Sequence, residues 1–100
     1  MLKNLEWIHP LNRSRVKELG EYLVARGSTK IVVFGSSVTS RCHVDSDVDI
    51  YAEVEKRERV ERYFDFPYDL WTNHDVDERL PEEITRTGVI VYDERDNITG

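Results

Sequence analysis

Two apolar stretches joined by a short polar loop constrain the fold of this chain more than any other feature. The first, residues 31–34, is an unbroken apolar run, which predicts a strand covered on both faces. In the second, residues 47–54, apolar and polar residues alternate, which predicts a strand with one buried and one open face. The link at 41–46 is too short for a crossover helix, so the two strands are expected to pair antiparallel.

The open face of the second predicted strand carries two carboxylates. Asp47 and Asp49 are two residues apart, so their side chains point the same way, about 7 Å apart along the chain. Like charges at this spacing are unfavourable unless a cation joins them, and Mg²⁺ prefers oxygen ligands. Asp69, in a third predicted strand at 68–72, is the expected third ligand if the two strands are neighbours. Three carboxylates could hold one or two magnesium ions and support in-line phosphoryl transfer, and one of them could take a proton from an attacking hydroxyl.

The polar loop begins with Gly35 and Ser36, which suit a bound phosphate. A glycine lets the backbone come close to a ligand, and the neighbouring N–H groups and hydroxyls can bind phosphate oxygens. Residues 36–39 are predicted to form one short helical turn with its N-terminus towards the loop, a geometry that suits an anion. The favoured interpretation of Trp71 is a core or interface residue; because it shares a face with Asp69, the alternative is a place at the edge of the predicted phosphate site.

The remaining pattern predicts a small sheet with helices. Gly20 lies inside the first predicted helix and is expected to mark a close contact between helix and sheet. The predicted fold is α/β or α+β, with a small mixed, largely antiparallel sheet and helices on one face. The predicted elements are a helix beginning after Asn12 or Ser14 and ending at Gly27, strands at 31–34, 47–54, 68–72 and 89–92, an exposed helix or turn at 55–62, and a second helix at 75–88.

Composition limits the classes of function. With 100 residues, 39% of them hydrophobic, we expect a single domain over 1–100 with its core at about 12–92. A net charge of −6 does not favour long non-specific contact with nucleic acid. Cys42 is the one cysteine, so no internal disulfide can form. We see neither a signal peptide nor a membrane-spanning run, and we therefore expect a cytoplasmic protein without a membrane partner.

The segment GSSVTSRCHVDSDVDI, residues 35–50, resembles the signature of the DNA polymerase beta-like nucleotidyltransferase superfamily. That signature is an apolar strand, Gly-Ser, about ten residues, and then two aspartates that alternate with apolar residues. The chain length and the later aspartate in YDLWT make the sequence most similar to the minimal nucleotidyltransferases. Many of these small domains are antitoxins paired with HEPN-domain toxins. The resemblance extends over about 12–92 and implies a fold like the polymerase beta palm.

The resemblance also implies roles for individual residues. Gly35 and Ser36 would contact the phosphates of a nucleoside triphosphate, with Ser37 counted in the same nucleotide-binding group. Asp47, Asp49 and Asp69 would be the catalytic carboxylates and the magnesium ligands.

The chain departs from the family pattern directly after Gly-Ser. Many members continue Arg-Ala-Arg-Gly, whereas this chain has Ser37, Val38, Thr39 and Ser40. Arginine forks match phosphate oxygens and stabilise charge in the transition state. Arg41, displaced along the loop, is the candidate substitute, and a solvated loop arginine is the alternative interpretation.

Three hypotheses about function follow. The first is a magnesium-dependent nucleotidyltransferase that moves AMP from ATP to a hydroxyl, with a tyrosine of a partner HEPN toxin as acceptor and a role as antitoxin. The second is a binding module of the same fold, inactive because the arginines are missing, that masks its partner by contact. The third is a metal-dependent hydrolase that uses water as nucleophile. A domain this small leaves much of a nucleotide exposed, so we expect a partner or a second copy of the chain to complete the pocket.

Overall fold

The computed structural model describes residues 2–39, 42, 46–56, 60–75, 84, 86 and 88–97. Within these ranges the chain forms a long α-helix, a four-stranded sheet and short 3-10 turns. The elements are α1 at Pro10–Ala25, strands β1 at Lys30–Phe34, β2 at Val48–Glu53, β3 at Tyr68–Thr72 and β4 at Val89–Asp93, and 3-10 turns at Leu5–Trp7, Gly35–Val38 and Glu94–Asn97.

Helix α1 begins earlier than predicted because a proline and a histidine start it. Pro10 occupies the first turn, where its missing N–H costs nothing, and the His9 ring accepts a hydrogen bond from the backbone N–H of Leu11. The predicted start after Asn12 or Ser14 is therefore wrong. After the helix, Gly27 adopts a φ of 99°, the left-handed conformation common just past a helix end, as expected. No helix in the part of the chain that the structure describes combines the length and the apolar character needed to cross a bilayer.

The sheet is mixed, with the order β3-β2-β1-β4. Strand β1 pairs antiparallel with both β2 and β4, and β2 pairs parallel with β3. The antiparallel pairing of the first two strands and the mixed, largely antiparallel sheet are confirmed. The parallel pair is possible because residues 54–67 separate β2 from β3, which is enough chain to return to the same end of the sheet.

Alternation along the strands divides the sheet into a helix-covered face and an opposite face. In β2, Val48, Ile50 and Ala52 are buried, whereas Asp49 and the other intervening residues are partly exposed, as predicted. In β1, residues 31–34 are all buried, which confirms that this central strand is covered on both sides. The helix-covered side forms the core, in which side chains of α1 pack against those of the strands; it includes Val16, Leu19, Leu23, Ile31, Val33, Val48, Ile50, Ala52 and Val91.

The surroundings of Gly20 and the segments at 55–62 and 75–88 test three further predictions. A Cβ at Gly20 would lie 3.0 Å from Leu2 Cδ1, so the close contact involves the N-terminal segment and the expected helix–sheet contact is wrong. That segment lies along the sheet edge, because Lys3 N–H donates to the Val91 carbonyl. Residues 55–56 and 62 form bends, which agrees with the turn alternative for 55–62, and residues 57–59 lie outside the described ranges. Most of the predicted helix at 75–88 lies outside the described residues. Within it, residues 84 and 86 are described and are helical.

Two leucines of α1 provide a test of this packing. Leu19 is fully buried in the core, whereas Leu11 is 45% exposed. Leu19→Ala is expected to lower the free energy of unfolding by roughly 2–5 kcal/mol, because it leaves a cavity as well as removing apolar contacts. Leu11→Ala is the matched control and is expected to cost roughly 1 kcal/mol or less. Urea unfolding of both variants measures the difference, and equal losses would contradict the assignment of the buried face.

Candidate active site

The backbone places two of the predicted carboxylates side by side. Asp49 of β2 and Asp69 of β3 are register partners in a parallel pair, so their side chains leave the same face of adjacent strands. Neighbouring strands lie about 4.8 Å apart. Asp49 is partly buried and Asp69 is exposed. Asp69 is expected to face Asp49 if the two strands are neighbours, and this condition is met.

Asp47 lies at the same end of the sheet but outside the strand. The structure begins β2 at Val48, one residue later than predicted, and Asp47 is exposed. The N–H of Val48 donates to the Pro67 carbonyl at 3.1 Å, which joins the segment carrying Asp47 to the start of β3. Across the ranges that the structure describes, no three His, Cys, Asp or Glu side chains are grouped so that they could hold a metal ion. The three-ligand magnesium site thus stays a prediction.

The 3-10 turn at Gly35–Val38, called here the Gly-Ser turn, lies directly against the Asp49 carboxylate. The β1–β2 register pairs Phe34 with Asp49, so the turn begins beside that side chain. Gly35 has a φ of 74°, and a Cβ at this position would overlap Asp49 Oδ2. Only glycine satisfies both conditions. The position of the short turn, predicted at 36–39, is off by one residue.

This arrangement fits a phosphate bound together with a divalent cation. Backbone N–H groups of such a turn can bind an anion, and the Asp49 carboxylate that lies against Gly35 supplies oxygen ligands of the kind that Mg²⁺ prefers. Asp69 supplies further oxygens from the next strand. A cation held there would lie beside a phosphate at the turn and would balance the negative charge of both.

Among the expected nucleotide-binding residues, Ser36 and Ser37 differ in accessibility. Ser36 is partly exposed, whereas Ser37 is fully buried and its Oγ accepts a hydrogen bond from Asn12 Nδ2 at 2.9 Å. The Ser37 carbonyl also accepts a hydrogen bond from the N–H of His9 at 2.7 Å. The hydroxyl of Ser37 therefore faces the protein interior, where it anchors the turn. Arg41 lies outside the described residues.

An aromatic pair follows the carboxylate pair on the same face. Tyr51 and Trp71 are register partners, each two residues beyond Asp49 or Asp69 in its strand. Trp71 is partly buried, and its predicted place on the face of Asp69 agrees with the register. Burial raises the pKa of the Tyr51 phenol, and the charge of Glu53 raises it further, so this ring stays neutral. Tyr51 was not singled out from the sequence, although the period-two pattern places it on this face.

Asn12 was considered from the sequence only as a helix cap, and its role in the site was missed. It is fully buried and contacts the Gly-Ser turn through Ser37. A signal existed in the sequence, because the helical spacing that runs through Val16, Leu19 and Leu23 also includes position 12. A polar residue on an otherwise apolar helix face indicates a specific hydrogen-bonding partner.

Substitution of two glycines tests the contact between the Gly-Ser turn and Asp49. Gly35 and Gly27 both have positive φ, so alanine at either position costs roughly 1–2 kcal/mol of backbone strain. At Gly27 a Cβ would meet nothing within 4 Å, whereas at Gly35 it would displace the Asp49 carboxylate. Gly35→Ala is therefore expected to lower the free energy of unfolding clearly more than Gly27→Ala, measured by urea titration. Equal losses would show that the turn does not press on Asp49.

Comparison with known proteins identifies the family. The model of a family described as a nucleotidyltransferase domain matches residues 13–96, a range that contains α1 from its fourth residue, the Gly-Ser turn and all four strands. No curated protein and no solved structure matches the chain. The predicted resemblance is thereby confirmed at the level of the family. The mixed sheet, with the Gly-Ser turn after β1 beside the paired aspartates, agrees with the fold of a nucleotidyltransferase domain, and the chain belongs to that family.

Proposed function

We propose that the protein transfers a nucleotidyl group, AMP from ATP, to a hydroxyl acceptor with magnesium bound at its aspartates. Membership of the nucleotidyltransferase domain family supports the general reaction. The observation that carries the proposal is the contact of Gly35 with the carboxylate of Asp49, with Asp69 beside it on the next strand. A phosphate site and an oxygen ligand set adjoin there, as transfer from a triphosphate requires.

Each residue then has a role in binding or proton transfer. The backbone at Gly35 and the Ser36 hydroxyl hold the phosphates, and Asp47, Asp49 and Asp69 hold one or two magnesium ions. Magnesium held by these carboxylates would supply charge neutralisation at the phosphate oxygens for an in-line displacement. The acceptor oxygen forms a bond to the α-phosphorus while the bond to the β-phosphate oxygen breaks and pyrophosphate leaves. Asp69, the more exposed carboxylate of the strand pair, accepts the proton of the hydroxyl.

The acceptor that we propose is a tyrosine of a HEPN-family partner, so that the protein acts as an antitoxin in the cytoplasm. The support is the resemblance of residues 35–50 and of the YDLWT segment to minimal nucleotidyltransferases. A surface feature agrees with a protein partner: Trp7 is 67% exposed and lines a cleft together with Val38, the last residue of the Gly-Ser turn. Exposed apolar surface beside a site suits a protein contact.

A second candidate is a binding module that masks its partner without catalysis. One observation favours it: residues 31–39, which include the Gly-Ser turn, contain neither lysine nor arginine. Phosphoryl-transfer sites commonly use such cations to stabilise charge in the transition state. Calorimetry with Mg·ATP distinguishes the two candidates when it is combined with an assay of turnover, since the module predicts binding without turnover.

Isosteric substitution of the aspartates tests the transferase. The protein is incubated with magnesium, ATP labelled at the α-phosphate, and a HEPN-domain protein as acceptor. We expect label on the partner, and we expect Asp49→Asn or Asp69→Asn to reduce its rate of appearance by roughly a hundredfold or more, since each change removes a metal ligand. The variant carrying both Asp47→Asn and Asp49→Asn is expected to show no transfer.

The control is Glu53→Gln, which removes a carboxylate from the same strand and the same face as Asp49 but at the far end of β2. Its transfer rate is expected to stay within a factor of two or so of the original, because charge alone decays over this distance. Transfer that survives the double aspartate substitution would refute the assignment. Release of labelled AMP without labelled protein would indicate hydrolysis instead.

A further inference from the structure

We propose that Asn12 is a positioning residue that holds the Gly-Ser turn in register with the segment carrying Asp47. The inference deepens the proposed function, on which it rests for its catalytic meaning. It concerns the helix-covered side of the sheet, opposite the carboxylates, where no group that touches substrate is expected.

The Asn12 side chain joins three parts of the chain. It has no exposed surface, and its Nδ2 donates to Ser37 Oγ at 2.9 Å and to the Ser46 carbonyl at 3.5 Å. Ser37 directly follows Gly35-Ser36, and Ser46 directly precedes Asp47. A single amide group on α1 therefore bridges the proposed phosphate site and the proposed first carboxylate.

The orientation of this amide is itself constrained. Arg15 Nη1 donates to Asn12 Oδ1 at 3.0 Å, so the oxygen faces Arg15 and the NH₂ group faces Ser37 and Ser46. The guanidinium carbon of Arg15 lies 5.9 Å from the centre of the Phe66 ring. Phe66 precedes Pro67, whose carbonyl accepts the N–H of Val48. The NH₂ group of Asn12 thus contacts the Gly-Ser turn and the residue before Asp47. Its oxygen contacts Arg15, which lies near Phe66 just before β3.

The chemistry of the position argues for a specific role. Burying an amide without partners costs several kcal/mol in general, and an apolar side chain would fill the same site without that risk. Both hydrogen bonds donated by the Asn12 NH₂ group are directed at the two segments that carry the site. The N–H of His9 adds a second bond from the start of α1 to the Ser37 carbonyl. Loss of the Asn12 amide should therefore loosen the turn and the Asp47 segment before it loosens the rest of the sheet.

A matched control lies at the opposite end of β1. Ser28 is also buried, and its Oγ donates to the carbonyls of Lys30 and Glu53, far from the Gly-Ser turn. Asn12→Ala and Ser28→Ala each remove a buried hydrogen-bonding group that joins chain segments. Asn12→Ala removes hydrogen bonds at the end of the sheet near the Gly-Ser turn, and Ser28→Ala removes hydrogen bonds at the opposite end.

Hydrogen exchange measured residue by residue by NMR reads out the effect in the full chain without nucleotide. The Thr39 and Val48 amides donate to the carbonyls of Ser36 and Pro67 and report on the turn and the entry into β2. The Thr29 amide donates to the Glu53 carbonyl and reports on the opposite end. Asn12→Ala is expected to accelerate exchange at Thr39 and Val48 roughly tenfold more than at Thr29. Ser28→Ala is expected to show the reverse order.

A double-mutant cycle and a binding measurement complete the test. Ser37→Ala removes the acceptor alone, so the Asn12→Ala/Ser37→Ala pair should accelerate Thr39 exchange by less than the product of the single effects. If Asn12→Ala does not fold, Ser37→Ala is expected to give the same local pattern. Calorimetry with Mg·ATP is expected to show an affinity roughly tenfold lower in Asn12→Ala and unchanged in Ser28→Ala.

The outcomes separate this inference from the proposed function. A wild-type protein that does not bind Mg·ATP would count against the proposed function, while the exchange pattern would still decide whether Asn12 holds the two segments together. Equal acceleration of the Thr39 and Thr29 amides in Asn12→Ala, or an additive cycle, would overturn the positioning role. Unchanged Mg·ATP affinity in a variant with locally accelerated exchange would overturn it as well.

Discussion

The site depends on the contact between a glycine without a side chain and the carboxylate of an aspartate on the adjoining strand. Gly35 directly follows β1 with a φ of 74°, and a Cβ at this position would overlap the Asp49 carboxylate. Strands β1 and β2 are the two inner strands of the sheet. The contact therefore fixes the path of the chain as it leaves β1 relative to the carboxylate on β2. A larger residue at 35 would have to move either the turn or the carboxylate.

The sheet separates structural and chemical roles onto its two faces. One face packs against α1 and holds the apolar side chains of β2, and the other presents Asp49 beside Asp69, followed by Tyr51 beside Trp71. Alternation along each strand produces this separation directly. The helix still influences the chemistry of the opposite face, because its N-terminal turn holds the Gly-Ser turn through hydrogen bonds to Ser37.

Local pattern predicted most of the fold from the sequence. The bounds of β3, the alternation of β2 and the burial of β1 follow from periodicities of a few residues, and the antiparallel β1–β2 pair was predicted from a link without a crossover helix. Contacts between residues far apart in the sequence could not be predicted in this way. The partner of Gly20 is a residue at the N-terminus, and the start of α1 depends on a capping histidine. Neither has a periodic signature, because each depends on how separate segments meet in space.

The candidate site shows the same division. The spacing of Gly35, Asp47 and Asp49 was visible in the sequence, and the family match supports the nucleotidyltransferase interpretation of that spacing. The adjacency of Asp69 could only be stated as a condition, since a parallel pair requires knowledge of the strand order. The inward direction of the Ser37 hydroxyl could not be inferred, because a serine in a turn faces solvent or interior according to packing that no local pattern encodes.

The parallel placement of β3 has a consequence for how the site is assembled. Gly35 and Asp49 meet through the antiparallel β1–β2 pair, whereas Asp69 joins them only when residues 54–67 bring β3 beside β2, so the complete site needs two separate loop closures. In the described sheet β3 is a terminal strand with β2 as its single neighbour, so local unfolding can detach it without opening the β1–β2 pair. Detachment of β3 would remove one carboxylate and leave the glycine bend intact. In terms of the proposed function, loss of the Asp69 ligand and loss of the proposed phosphate-binding bend would therefore be separate events in this small domain.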